Sequence, residues 1–220
     1  MRKILLAFAC ISLFATAEAQ TVSRESVNLY RQLVAECTGS DTPQARKTLD
    51  YCTERLEKAG FTFNRSGITD MYTIHMNPFF RKEGQDTVGC MVSTFNDAVF
   101  GISGIFTSTS PSRAFPLVAR AAELQASLAA ERGCEKWVCS VKGNVKNKFP
   151  KDVAELKEVL TEAGEDNVKW VFVKWESADR KQVATLVYDN KLYGKKKPKP
   201  RDRVELTVAV SDNRDLDKAQ

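Results

Sequence analysis

The sequence predicts an α+β fold: a helical N-terminal pair, then a mixed, mostly antiparallel sheet with two further helices packed on it. Three observations carry this. Apolar residues recur every three to four positions over residues 23–59 and change to strict alternation near residue 72. Alternation returns at Val204, Leu206, Val208 and Val210, close to the end of the chain. Between these regions lie two more helical stretches, so the element order is ααβββαβαβββ rather than the regular alternation of a parallel α/β sheet.

The first helix is expected over Ser23 to Cys37, with Val27, Tyr30, Leu33, Val34 and Cys37 on one face. For the second, Thr42 is a capping residue and Pro43 suits the first helical position. Its stripe is Ala45, Leu49, Cys52, Leu56 and Ala59, and Gly60 suits the left-handed position past its end. Tyr72, Ile74 and Met76 then alternate with Thr73 and His75 as in a half-buried strand. Residues 88–106, "VGCMVSTFNDAVFGISGIF", read as a hairpin turning at Asn96-Asp97, two residues that tolerate positive φ. A tight two-residue turn pairs Val92 with Gly101 and Met91 with Ile102. Gly101 and Gly104 point to close packing by something opposite.

Residues 107–115 read as a loop. A helix is expected from Pro116 to Arg132, with Leu117, Ala121, Leu124 and Leu128 on one face and Gly133 ending it. "KWVCSV" (136–141) is a strand. A fourth helix opens at Pro150 and closes before Gly164, burying Val153, Leu156, Val159 and Leu160. "VKWVFVKW" (168–175) is apolar on both faces, as in a central strand. The last two strands are expected near 183–188 and 203–210. Gly60, Gly133 and Gly164 each follow a helix, but their flanks do not recur, so helix termination accounts for them without a repeat.

The N-terminus has the layout of an export signal. Arg2 and Lys3 precede an uncharged apolar run from Ile4 to Phe14, and Ala17-Glu18-Ala19 supplies small residues for cleavage before Gln20. The run is shorter than the ~20 residues a bilayer requires, and the longest later one, Ala98 to Phe106, contains two glycines. The expectation is residues 1–19 as a cleaved signal peptide, 20–211 as a single α+β domain and 212–220 as a frayed polar tail, exported to the periplasm or secreted and not membrane-spanning. Removing the leader changes 33 − 28 = +5 into 31 − 27 = +4, too mild a charge to imply a polyanionic partner by itself.

Five cysteines remain after the leader: Cys37, Cys52, Cys90, Cys134 and Cys139. Cys134 and Cys139 are the nearest pair and are expected to bridge. Cys134 sits past a helix C-terminus, where the dipole opposes thiolate, so a structural role is expected over a redox one. Cys37 and Cys52 resist pairing if the second helix begins at Pro43. Cys52 then lies about 13 Å along it at 1.5 Å per residue, beyond disulfide reach.

Much chemistry is absent. The single histidine, His75, excludes multi-histidine metal sites, and alternation places it toward solvent. "GISG" (101–104) is not a nucleophile elbow, because Ile follows it, and "SDN" (211–213) has no S-x-x-K companion. Asp50, Glu54 and Glu57 alternate with Lys47, Arg55 and Lys58 as on a solvated helix face. The Ser/Thr run from Thr107 to Ser112 reads as loop composition. No cofactor or metal site is expected.

The densest charge is "YGKKKPKPRDR" (193–203), with Lys195, Lys196, Lys197, Lys199, Arg201 and Arg203 among two prolines. It is expected to be an extended, exposed arm before the last strand. Such clusters often serve nucleic acid, but the export signal argues against that partner. With Tyr188 and Tyr193 these basic residues form the candidate binding set; solvation and discouragement of edge-to-edge pairing are the competing explanation. The function expected is that of an exported, non-catalytic binding protein, its partner a protein or an anionic envelope component. The alternatives are a hydrolase using dispersed carboxylates or a loop serine, and, third, a thiol oxidoreductase.

Overall fold

The computed structural model describes residues 22–38, 46–67, 69–71 and 74–214. The expected signal peptide, the expected Thr42-Pro43 cap, Tyr72 and residues 215–220 lie outside them. The elements are α1 (Arg24–Cys37), α2 (Leu49–Lys58), β1 (Thr62–Phe63), β2 (Thr69–Met71), β3 (Ile74–Glu83), β4 (Asp86–Phe95), β5 (Ala98–Ser108), α3 (Pro111–Ala130), β6 (Lys136–Gly143), α4 (Val153–Ala163), β7 (Val168–Glu176), β8 (Gln182–Asn190) and β9 (Val204–Asp212). The α+β architecture follows the expectation. The sheet is more regular than expected: its order is β1-β3-β4-β5-β9-β8-β7-β6, with β2 also on β3, and every one of these pairings is antiparallel.

The order reads as a palindrome about the β5–β9 pair. On either side a helix, α1 or α3, is followed by strands that run from one outer edge to the centre. Helices α1 and α3 pack on the same face as the inward residues Cys90, Ile102, Leu186 and Val210, and α4 packs on α3. One continuous core lies between helices and sheet, with Leu33, Val92, Val118, Leu156 and Leu186 without exposure.

Several boundaries differ for identifiable reasons. Helix α3 begins at Pro111, with Ser110 in the extended cap position, so Pro111 rather than Pro116 occupies the first turn. Pro116 lies inside the helix, where it removes the N–H that would bond the Ser112 carbonyl. Helix α2 begins at Leu49, because residues 47–48 lie extended along β5, with Val99 N–H donating to the Lys47 carbonyl and Thr48 Oγ1 accepting from Tyr51 N–H. Strand β3 continues through Pro78 to Glu83. The Pro78 carbonyl accepts from Asn64 just past β1, so the missing N–H points to that same side, where β1 has ended.

The hairpin turn is as expected, with φ of 47° at Asn96 and 65° at Asp97. The register is not. Thr94 pairs with Val99 but Ser93 with Gly101, so Phe100 is an extra residue and Val92 meets Ile102. His75 has the parity of the buried Asn77 and Phe79 and is half-buried rather than turned to solvent. Asp212, expected to begin a frayed tail, completes β9: it is 1% exposed and pairs with Arg46 and Arg214.

Candidate functional site: a cleft between two helices

Helices α1 and α3 are tied together along their C-terminal halves. Arg132, just after α3, donates to the Val34 carbonyl at 3.0 Å and to Thr38 Oγ1 at 3.2 Å, closing over the end of α1. Midway, the Tyr30 hydroxyl and Gln125 Oε1 are hydrogen-bonded at 3.2 Å. Gln125 is fully buried and its Nε2 donates to the carbonyls of Thr185 and Ala209, at 2.7 and 2.9 Å, which seats α3 on β8 and β9. Burial of the Tyr30 phenol raises its pKa well above the ordinary value.

Toward the N-termini the helices separate, and a cleft of about 890 Å³ opens between them over the middle of the sheet. Val27 and Leu29 of α1 and Leu117, Ala121 and Leu124 of α3 form its walls. Val88, Cys90, Phe106, Leu206 and Val208 form the floor, with Gly104 beneath Tyr30. A Cβ at Gly104 would stand 3.3 Å from the Tyr30 ring, so the glycine is what lets α1 lie so close to β5. The helix faces are therefore wider than expected. Val118, Ala122, Gln125 and Leu128 make the buried seat of α3, while Leu117, Ala121 and Leu124, predicted as core, are half-buried beside the opening.

Among the described residues, the charged groups in the lining are of one sign. Arg24, Arg113 and Arg120 contribute to it, and no carboxylate does. Arg24 and Arg120 are exposed. Arg113 is anchored at 3.1 Å to Asp86 and also donates to Ser108 and Thr109, which ties the start of α3 to the β3–β4 turn. That turn also holds α1: Glu83 accepts from Ser23 and Ser26 and pairs with Arg81. Burial opposes the charge on Glu83, but the hydrogen bonds from Arg81, Ser26 and Ser23 outweigh it and keep its pKa below the usual carboxylate value.

The basic stretch is at the same end of the sheet. Val204 pairs with Ser108, three residues before α3 begins, so the β8–β9 connection leaves the sheet next to the α3 N-terminus. It is not an extended arm. Asp202 pairs with Lys195 at 2.9 Å and accepts from the Lys199 N–H at 2.8 Å, while Asp202 N–H bonds back to the Lys199 carbonyl, curling the segment into turns. Lys196, Lys197, Lys199 and Arg201 are exposed; Arg203 and Tyr193 are half-buried. Tyr188 does not belong to this set: it is fully buried on the helix-facing side of β8, its ring edge-on to Phe115 of α3.

The expected Cys134–Cys139 bridge is absent; both are buried free thiols. Cys134 Sγ faces the Gln182 carbonyl at 3.4 Å. Residues from Lys136 onward are extended, and at about 3.3 Å per residue such a strand carries Cys139 out of reach. Burial raises both thiols, Cys139 to about 12. Cys37 and Cys52 correct the sequence reading in the other direction, with their sulfurs 3.5 Å apart. The carboxylates Asp50, Glu54 and Glu57 are exposed on α2, as expected of a solvated face. Among the described residues no helix is long and apolar enough to cross a membrane.

Comparison with protein-family models, with curated proteins and with solved structures finds no match to this chain.

Proposed function

We propose that this chain is an exported, non-catalytic binding protein that takes an amphipathic anion: an elongated apolar chain with one anionic head group, as in a long-chain carboxylate or a lysophospholipid. The observation that carries this reading is the 890 Å³ cleft, apolar on its walls and floor, whose charged lining residues are all arginines. A cleft of roughly 300–1,000 Å³ with an apolar interior and a few oriented polar groups is the usual form of a small-molecule site. The apolar chain lies along Leu117, Ala121, Leu124 and Val208 above Gly104, and the head group meets Arg24 and Arg120 at the rim. The N-termini of α1 and α3 lie at this end and add partial positive charge.

The hydrolase alternative gains no support from this cleft. Ser26 and Ser112 are in the lining without a histidine, and the Glu83 carboxylate that accepts from Ser26 is paired with Arg81 and held below the usual carboxylate pKa, which makes it a weak base. The test is displacement of a fluorescent long-chain fatty acid from the purified mature protein. Long-chain carboxylates are expected to compete, and alcohols of the same chain length to compete at least tenfold more weakly. Failure of the probe to bind, or equal competition by the uncharged alcohols, overturns the reading.

A further inference from the structure

We propose that Cys37 and Cys52 are joined in the exported protein as a disulfide that staples the end of α1 to the start of α2. The inference does not depend on the cleft's ligand. It rests on where two helices and one extended segment place the two side chains.

Cys37 is the last residue of α1, and Cys52 lies in the first turn of α2, just past the Thr48 cap. Because residues 47–48 run along β5 before α2 starts, α2 enters with its first turn against the last turn of α1. The sulfurs are 3.5 Å apart, and neither residue has any exposure. Cys37 and Cys52 therefore need a shift of about 1.5 Å to reach the ~2.05 Å of a disulfide. By contrast Cys134 is occupied with a backbone carbonyl, and Cys90 lies on β4 beneath α1, near enough for a charge on Cys37 to be felt at Cys90. The cluster thus holds three thiols, of which one pair is in contact.

Burial also says when the bond forms. Neither sulfur is reachable in the folded state, and the neighbouring thiol and burial both disfavour thiolate at Cys37. Oxidation precedes docking of α2, during folding outside the cytoplasm. Two S–H bonds break and one S–S bond forms. The two electrons and two protons pass to the disulfide of a thiol–disulfide oxidant: oxidised glutathione leaves as two molecules of glutathione, an oxidising oxidoreductase as its dithiol form.

The experiment refolds the reduced full-length mature chain in a glutathione redox buffer. Remaining thiols are blocked with iodoacetamide under denaturing conditions, and the protein is digested with trypsin without reduction. Arg46 and Lys47 lie between the two cysteines, so trypsin separates them and a bridge appears as two joined peptides. The expected result is a loss of two mass units, one joined pair containing Cys37 and Cys52, and alkylated Cys90, Cys134 and Cys139. Alkylation of all five, or Cys37 joined to Cys90, overturns the proposal. Two variants separate a specific bond from scrambling: Cys90→Ser is expected to keep the joined pair, and Cys52→Ser to lose it without a new Cys37–Cys90 product. Dithiothreitol is expected to lower the urea midpoint of the oxidised wild type and to leave that of the Cys37→Ser/Cys52→Ser double variant unchanged.

Discussion

The Tyr30 hydroxyl of α1 meets Gln125 Oε1 of α3 at 3.2 Å, and the two amide hydrogens of Gln125 are spent on carbonyls of β8 and β9. One amide therefore links both helices that wall the cleft to the centre of the sheet. Gln125→Leu removes three hydrogen bonds and leaves a buried hydroxyl without its partner. It is expected to cost about 2–4 kcal/mol, whereas Tyr30→Phe, which leaves only the amide oxygen unpaired, costs about 1 kcal/mol. Urea unfolding of both single variants and the double variant measures this, and non-additive losses are expected because the residues touch.

The rim arginines carry the charge discrimination. Arg120→Ala is expected to weaken binding of a long-chain carboxylate about tenfold, roughly 1.4 kcal/mol, with little change for the matching alcohol. Equal losses for both ligands in the displacement titration contradict the placement of the head group.

Gly104 sets the depth of the floor. A methyl there would stand 3.2 Å from Val208 Cγ2 and 3.3 Å from the Tyr30 ring. Gly104→Val must push the ring away. It is expected to destabilise by about 1–3 kcal/mol as an overpacked site and to reduce occupancy of the cleft. Ala121→Trp fills the cleft from its half-buried wall and is expected to block the probe with a much smaller stability loss.

Glu83 makes the entry of α1 sensitive to acid. Its folded pKa is held below the unfolded value, so its stabilising contribution is complete above about pH 4.3, the ordinary carboxylate value. The contribution is lost as pH falls through the lower, folded pKa. Glu83→Gln is expected to flatten the decline of thermal midpoint below pH 4.5 relative to wild type. An unchanged pH profile excludes the linkage.

The β8–β9 connection supplies a contrast. Substituting Lys196 and Lys197, exposed side chains, with Ser is expected to leave the thermal midpoint unchanged and to reduce the salt needed to elute the protein from heparin. Asp202→Ala releases both Lys195 and the Lys199 amide. It is expected to speed tryptic cleavage within 195–201 while leaving the core intact.

The sequence carried the local signals well. Asn96-Asp97, the glycines after three helices and the alternation of β9 all act within a few residues, and each appears where local chemistry places it. Signals that depend on a distant partner were not legible. The continuation of β3 past Met76 is one, because nothing local reveals that the N–H side of Pro78 faces a gap left by β1. Pro111 and Pro116 both suit a first helical turn, and only the end of β5 decides between them. The position of Cys52 failed for the same reason, since the start of α2 is set by pairing with β5 rather than by Pro43. The cleft is the extreme case: Val27, Leu124 and Val208 meet only after β9 has inserted. One trace of it was present, in an α3 with apolar residues at 117, 118, 121, 122, 124 and 128, a stripe broader than one seat on a sheet requires.

The palindromic strand order has a consequence for assembly in time. Strand β9 is the last of these strands to be synthesised, yet it occupies the centre of the sheet, between β5 and β8. Until it arrives, the nascent chain is two separate leaves, β1-β3-β4-β5 with β2 on β3 and the three-stranded β8-β7-β6, each with an unpaired inner edge, and Leu206 and Val208 are missing from the cleft floor. Folding of this chain is therefore a closure, in which the final strand acts as a keystone, and the interval before it sets is when chaperone protection matters most.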